Sequence, residues 1–222
     1  MSTLESRRNP LRTTGARLRN IVRRVRRLPD PVRYPHTAKP LEHWQRIVLN
    51  DEVSRHIDSL GPERLRAAEI SGDTHADRNW KEYSSLMYPE FDICEPIAEP
   101  ERFDVVICEQ VLEHVPDPFL AASNLRELCV PGGHVIVSTP FLVKVHEMQL
   151  IYDMKDYWRF TPRGLRTLLE RGGLEVHEVG SWGNRDCVVG NFDNWSAFRR
   201  WHSLRNEPDL PVQVWAFARR PE

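Results

Sequence analysis

The chain holds 222 residues, 40% hydrophobic and 28% charged, with a net charge of −1. That is enough sequence for one domain with an appendage, and enough apolar content for a core that needs no disulfide support. No apolar run approaches the ~18 residues of a membrane span, and the balanced charge argues against a nucleic-acid binder basic along its whole length.

The charge is unevenly spread. Residues 7–33 carry ten arginines and one acidic residue, Asp30, so the remainder is acidic. This sets residues 1–40 apart as a basic arm from a main domain at 41–222. Within 11–28, Leu11, Leu18, Ile21, Val22, Val25 and Leu28 recur at helical spacing, which predicts a basic amphipathic helix. Such a helix suits an anionic membrane surface, nucleic acid, the main domain or a second subunit. The arm has no signal-peptide core. Cys94, Cys108, Cys129 and Cys187 are scattered, with no CxxC pair and no zinc spacing. Reduced thiols and cytoplasmic residence are the expectation.

Prolines at 29, 31, 35 and 40 precede a helix predicted at 41–60, closed by Gly61-Pro62. Strands are predicted at 66–71 and 83–88, with a short third near Phe91–Cys94. Residues 103–108 form a continuous apolar run, as buried parallel strands do. A helix at 117–129, a Pro131-Gly132-Gly133 turn and a strand at 134–138 follow. A helix at 162–171 ends at Gly172-Gly173, and strands at 174–180 and 212–219 complete the chain. The alternation predicts an α/β, doubly wound (Rossmann-like), mostly parallel seven-stranded sheet. Helices cover both faces, and a helical extension precedes it. Phe192, Trp195, Phe198 and Trp201 are expected to pack over the sheet edge or at a subunit contact.

In such sheets ligands bind beyond the carboxyl ends of the strands. Glu69-Ile70-Ser71-Gly72 closes the first strand, and small residues there let a ligand approach the backbone. A plain strand-to-loop turn accounts for it equally. The 103–108 strand runs directly into Glu109 and Gln110, with Glu113 and His114 one turn on. His114 is a candidate base or a histidine that orders the turn.

The segments FDVVICEQVLEHVPDP and LCVPGGHVIVSTPF, with YPEFDICEP, DYWRFTPRGLRTLLERGGLEV and GSWGNRD, resemble the type-11 branch of class I S-adenosylmethionine-dependent methyltransferases. The resemblance spans residues 66–190. It implies that Glu69, Ser71 and Gly72 cradle the methionine part of the cofactor, that Asp92 contacts the adenine amino group, and that Glu109 and Gln110 flank the reacting methyl. Two departures stand out. Ser71-Gly72-Asp73-Thr74-His75 lacks the full Gly-x-Gly-x-Gly pattern, and Met87 stands where an acidic residue usually holds the ribose, so that either another group such as Glu90 takes that role or cofactor affinity is reduced.

The resemblance also implies that residues 141–160 cap the acceptor pocket. His146 is the expected general base, or else a surface histidine or loop anchor; Tyr157, Trp158, Arg159 and His114 are expected to shape the acceptor site, with a helix-docking core cluster as the alternative for Trp158. Aromatic faces beside charged edges suit a saccharide hydroxyl, and the similarity points toward bacterial sugar O-methyltransferases, including those of mycobacterial methylmannose polysaccharides. Glu147, Asp153 and Asp156 could serve Mg²⁺, though no spacing assigns ligands. A membrane-associated lipid or quinone methyltransferase and a cofactor-free regulatory fold are the competing readings. A nucleic-acid substrate is disfavoured, and a homodimer is compatible with the sequence.

Overall fold

The computed structural model describes residues 42–97, 100–147, 154–192 and 196–222. The basic arm, the predicted helix at 11–28, Asp153 and Trp195 lie outside them.

The sheet is built from β1 (Arg66–Ile70), β2 (Glu82–Leu86), β3 (Phe103–Glu109), β4 (Cys129–Pro140), β5 (Glu175–Trp182) and β6 (Gln213–Arg219). Their order is β2-β1-β3-β4-β6-β5. β1 pairs parallel with β2 and β3, and β3 with β4, while β6 runs antiparallel between β4 and β5. The order reverses at β1 and β3, which places the switch-point crevice beyond their carboxyl ends.

The sheet has six strands among the described residues, not seven. The expected strand near Phe91–Cys94 is a run of turns instead. Asp92 accepts the Cys94 N–H on its side chain at 2.8 Å, and the Glu95 N–H on its carbonyl at 3.0 Å. This local Asx pairing uses the groups a ladder would need. β2 likewise ends at Leu86, short of the predicted 88, and the Pro131-Gly132-Gly133 segment lies within β4.

Helices cover both faces. α2 (Pro118–Leu128) and α3 (Pro162–Arg171) pack on one, over Val106, Cys108, Val135 and Val137. α1 (Ile47–Leu60) and α4 (Arg185–Asn191) pack on the other, over Ala67, Val105, Ile107, Ile136 and Phe217. Val105, Val106, Ile107 and Cys108 are all fully buried. Burial of each valine or isoleucine contributes roughly 1.5–3 kcal/mol, which is why β3 is apolar on both sides.

The capping residues are where the sequence calls for them. Asp117 accepts the N–H groups of Phe119 and Leu120 at 3.1 and 3.0 Å, with Pro118 opening α2. Thr161 accepts that of Gly164 at 3.0 Å to start α3. The helix predicted at 41–60 begins at Ile47, after a 3-10 turn at Trp44–Arg46.

The segment after α4 lies over the α1 face at the β5 edge of the sheet, with Asn206 donating to Ser181 O at 3.2 Å. Ser203 and Leu204 carbonyls accept the indole N–H groups of Trp44 and Trp182 at 3.1 and 2.9 Å, and His202 stacks on Trp44. Phe192 and Trp201 remain exposed. No helix among the described residues is long and apolar enough to cross a membrane.

Candidate active site

The strands are apolar until their carboxyl ends, and there they turn polar. Glu69, Glu109 and Ser138 stand two residues beyond the α1-face residues Ala67, Ile107 and Ile136, and Gln213 two before Trp215, so four neighbouring strands turn polar on the α1 side at one end of the sheet, with Glu109 directly opposite Ser138.

The chain leaves β1 and β3 in the same way. Ser71 (φ 50°) and Gln110 (φ 57°) are the left-handed non-glycine residues among those described. Each N–H makes a last ladder bond, to Leu86 O and Ser138 O respectively, both 2.8 Å. The backbone then turns away from the sheet. Such conformations cost of order 1–3 kcal/mol each and cluster at functional sites.

Gly72 has a separate reason to be glycine. A Cβ there would stand 2.6 Å from Glu69 Oε1. The buried Glu69 carboxylate folds back over this loop and accepts the N–H groups of Thr74 and His75, each 3.0 Å, and the Tyr83 hydroxyl at 2.7 Å. Its oxygens are thus used in shaping the loop.

His75, which the sequence did not single out, meets Glu109 at 2.8 Å, Nε2 to Oε2. Both side chains are buried. Burial pushes the Glu109 carboxyl up, but the His75 bond, the Arg46 guanidinium at 3.9 Å and the Ser138 hydroxyl outweigh it and hold it below the ordinary carboxylate value. Gln110 donates to Ser138 Oγ at 3.2 Å and to Gln213 Oε1 at 2.9 Å. Buried polar atoms nearby lack partners: Gln213 Nε2, Gln45 Oε1 and Thr139 Oγ1. Unsatisfied groups of this kind are uncommon in finished cores and fit a site that receives a polar guest. Met87, Glu90 and Asp92 share the loop after β2, at the same edge of the sheet.

One turn beyond Gln110, Glu113 is fully buried with neither carboxylate oxygen hydrogen-bonded. Burial pushes its carboxyl up to about 8. His114 Nε2 lies 3.7 Å from Glu113 Oε1, and its Nδ1 meets Lys155 O at 2.5 Å. Burial lowers the basicity of His114. The His146 ring stands edge-on to that of His114, centroids 5.0 Å apart. Its Nδ1 lies 3.2 Å from Asp156 Oδ2, which also accepts the His146 backbone N–H at 2.8 Å.

The structure thus brings His114, His146, Tyr157, Trp158 and Arg159 together. Tyr157 and Trp158 dock by backbone bonds to Glu113 O, at 2.7 and 3.2 Å. The Trp158 indole N–H is held by Val115 O at 2.9 Å, while its ring and that of Tyr157 stay exposed. The Arg159 guanidinium pairs with Asp156, and so supports the carboxylate that orients His146. The Asp156 carboxylate is engaged on both sides, which removes it from the oxygen ligands considered for Mg²⁺. Glu113, His114 and His146 are the cluster of possible metal-ligating groups among the described residues. Gln213 carried no local signal, being 103 positions from Gln110.

A family model described as a methyltransferase domain matches residues 29–179. The chain belongs to that family, and with its fold is a class I S-adenosylmethionine-dependent methyltransferase. Among curated relatives, the ubiquinone biosynthesis O-methyltransferase of Nitrosospira multiformis is 34% identical over 93 residues, 36% of this chain and 39% of its own length. That of Serratia proteamaculans is 52% identical over 42 residues, 19% of this chain and 17% of its own. The match thus spans two fifths or less of these relatives.

Solved structures extend the likeness of fold. The phosphoethanolamine N-methyltransferase 2 of Haemonchus contortus, in complex with S-adenosyl-L-methionine, aligns with TM-score 0.51 and 13% identity, over 78% of this chain and 53% of its own. The cyclase SpnF aligns with TM-score 0.52 and 11% identity, over 83% and 85%.

Proposed function

We propose that the protein methylates a hydroxyl on a small aromatic acceptor, a phenol or catechol of the quinone-precursor type. The observation that carries this reading is the short path from the polar exit of β3 to the Glu113–His114–His146 cluster. Cofactor side and acceptor side are joined by one loop. The relatives' names, which speak of ubiquinone biosynthesis, support a ring hydroxyl. They lend nothing to the saccharide expected from sequence, and the aromatic rim behind that expectation accepts a planar ring as readily.

Glu109, Gln110 and the Ser71–Gly72 backbone are the proposed holders of the cofactor's amino-acid part, with Glu90 or Asp92 beside the nucleoside. Bound S-adenosylmethionine supplies a methyl already activated by the sulfonium. The protein's task is alignment and proton removal. His146 is the proposed general base. Asp156 fixes its Nδ1–H, which leaves Nε2 as the basic lone pair. Tyr157 and Trp158 offer faces for the ring.

The test is transfer of a labelled methyl from S-adenosylmethionine to a short-chain prenylated catechol, with methyl mannoside as comparator. Labelling of the catechol supports the assignment. Labelling of the mannoside alone would return the acceptor to the saccharide class, and labelling of neither would refute both.

A further inference from the structure

We propose that Glu113, His114 and His146 bind a divalent transition-metal ion of the zinc, cobalt, manganese or iron type at the acceptor side of the active site. Each of the three offers a ligand atom within 4.8 Å of the others. Bonds of 2.0–2.1 Å in tetrahedral geometry bring ligand atoms to about 3.3 Å of one another. Side-chain rotations of modest size close that gap.

Three features of the cluster belong to metal sites in general. The first is the carboxylate. Glu113 is fully buried and both its oxygens lack partners. A buried acid is normally paired or bound to metal, since isolation in an apolar site is costly. Nothing else among the described residues satisfies it.

The second is the outer ring of hydrogen bonds. The His114 Nδ1 faces a carbonyl, that of Lys155, and so carries the proton. The His146 Nδ1 has two acceptors, Asp156 Oδ2 at 3.2 Å and Lys144 O at 3.3 Å, nearer than the one donor beside it, the Arg159 Nη2 at 3.5 Å. Each ring therefore places its lone pair on Nε2. Metal-ligating histidines have this arrangement, one nitrogen held by a carboxylate or carbonyl and the other turned to the ion. Asp156 is itself held by Arg159, as supporting carboxylates are.

The third is the donor set. Two imidazoles and one carboxylate suit transition ions and are poor for Mg²⁺, which takes oxygen. Three protein ligands leave positions open to a further oxygen, the pattern of catalytic rather than structural sites. His114 and His146 keep part of their surface in solvent, 11% and 22% by side chain, which gives an ion its entry.

Metal binding stands independently of the acceptor assignment, while its use rests on it. With the ion in place the Nε2 lone pair of His146 is occupied. A ring hydroxyl coordinated to the ion would have a lowered pKa and release its proton to solvent; its oxygen would then form the bond to the methyl carbon as the carbon–sulfur bond breaks and S-adenosylhomocysteine leaves.

The experiment uses the full chain without a histidine tag, stripped by chelator and titrated with Co²⁺, Zn²⁺ and Mg²⁺ by calorimetry, with visible spectra of the Co²⁺ form. Saturation near one Co²⁺ or Zn²⁺ per chain is expected, with Mg²⁺ failing to compete. His146→Ala, at a partly exposed position, should fold and lose at least tenfold in affinity. Asp156→Asn should lose 10–100-fold, and His56→Ala, on the distant face, should match the parent. A folded parent that binds neither Co²⁺ nor Zn²⁺ saturably would overturn the proposal, as would His146→Ala and His114→Ala variants that bind like the parent. Metal binding without methylation of the catechol would count against the acceptor assignment alone.

Discussion

His75 and Glu109 stand 34 positions apart and meet at 2.8 Å at the carboxyl ends of β1 and β3. Their contact ties the loop after β1 to the exit of β3, the two edges of the switch-point crevice. Glu69 holds the His75 backbone from beneath, and Ser138 and Arg46 flank the carboxylate. The switch-point crevice thus depends on a buried anion that is fully partnered.

Removing one partner should therefore be worse than changing both. His75→Ala leaves the buried Glu109 short of a donor, a loss of about 1–3 kcal/mol. The double variant His75→Ala, Glu109→Gln should recover part of that. Urea unfolding of the parent, His75→Ala, Glu109→Gln and the double variant measures the coupling; strictly additive losses would deny that the pair acts as a unit.

The Ser71 and Gly72 positions should respond in opposite directions. Ser71→Gly relieves a left-handed backbone at φ 50°, and a gain of roughly 1 kcal/mol in stability is expected. Gly72→Ala forces a Cβ against Glu69 Oε1, detaching the carboxylate from the Thr74 and His75 N–H groups. Calorimetry should then show at least tenfold weaker S-adenosylhomocysteine binding.

In the metal-free protein, His146→Ala should reduce turnover by roughly 10²–10⁴-fold, the range for a positioned proton acceptor, with cofactor affinity unchanged. Steady-state rates and calorimetry on the same samples check this. Unchanged turnover would remove His146 from the chemistry.

A distant pair governs acid sensitivity. His134 is pushed down to about 4 by burial, then by the charges of Arg219, His56 and His177. Burial also lowers His56, which stacks on Phe217 with centroids 3.8 Å apart. The unfolded chain binds these protons near the ordinary value of 6.5 and the folded chain does not. The contribution of this pair is then fully present above about 6.5 and is lost as the pH falls toward 4. His134→Gln should flatten this slope, as read by thermal unfolding across that window.

Much of this architecture was written locally in the chain. β3 is a continuous apolar run, α2 begins with Asp117-Pro118, and α3 opens with Thr161-Pro162 and ends at Gly172-Gly173. Periodicity and capping report such features directly. The third strand misled because Phe91–Cys94 reads as apolar, while the Asp92 side chain takes the backbone donor a strand would use. The site was half legible. Glu109, Gln110, His114 and His146 were marked by their place after strands. His75 and Gln213 reach the site only through the crossovers of the sheet, and Asp156 looked like a metal ligand until Arg159 and His146 were seen to occupy it.

The most direct test of the central claim is calorimetric titration of the full chain with S-adenosylhomocysteine, in parallel with Gly72→Ala. A saturable site near one per chain, weakened by the substitution, is the predicted result. A folded protein that takes up no S-adenosylhomocysteine would contradict a cofactor site at the β1–β3 switch point.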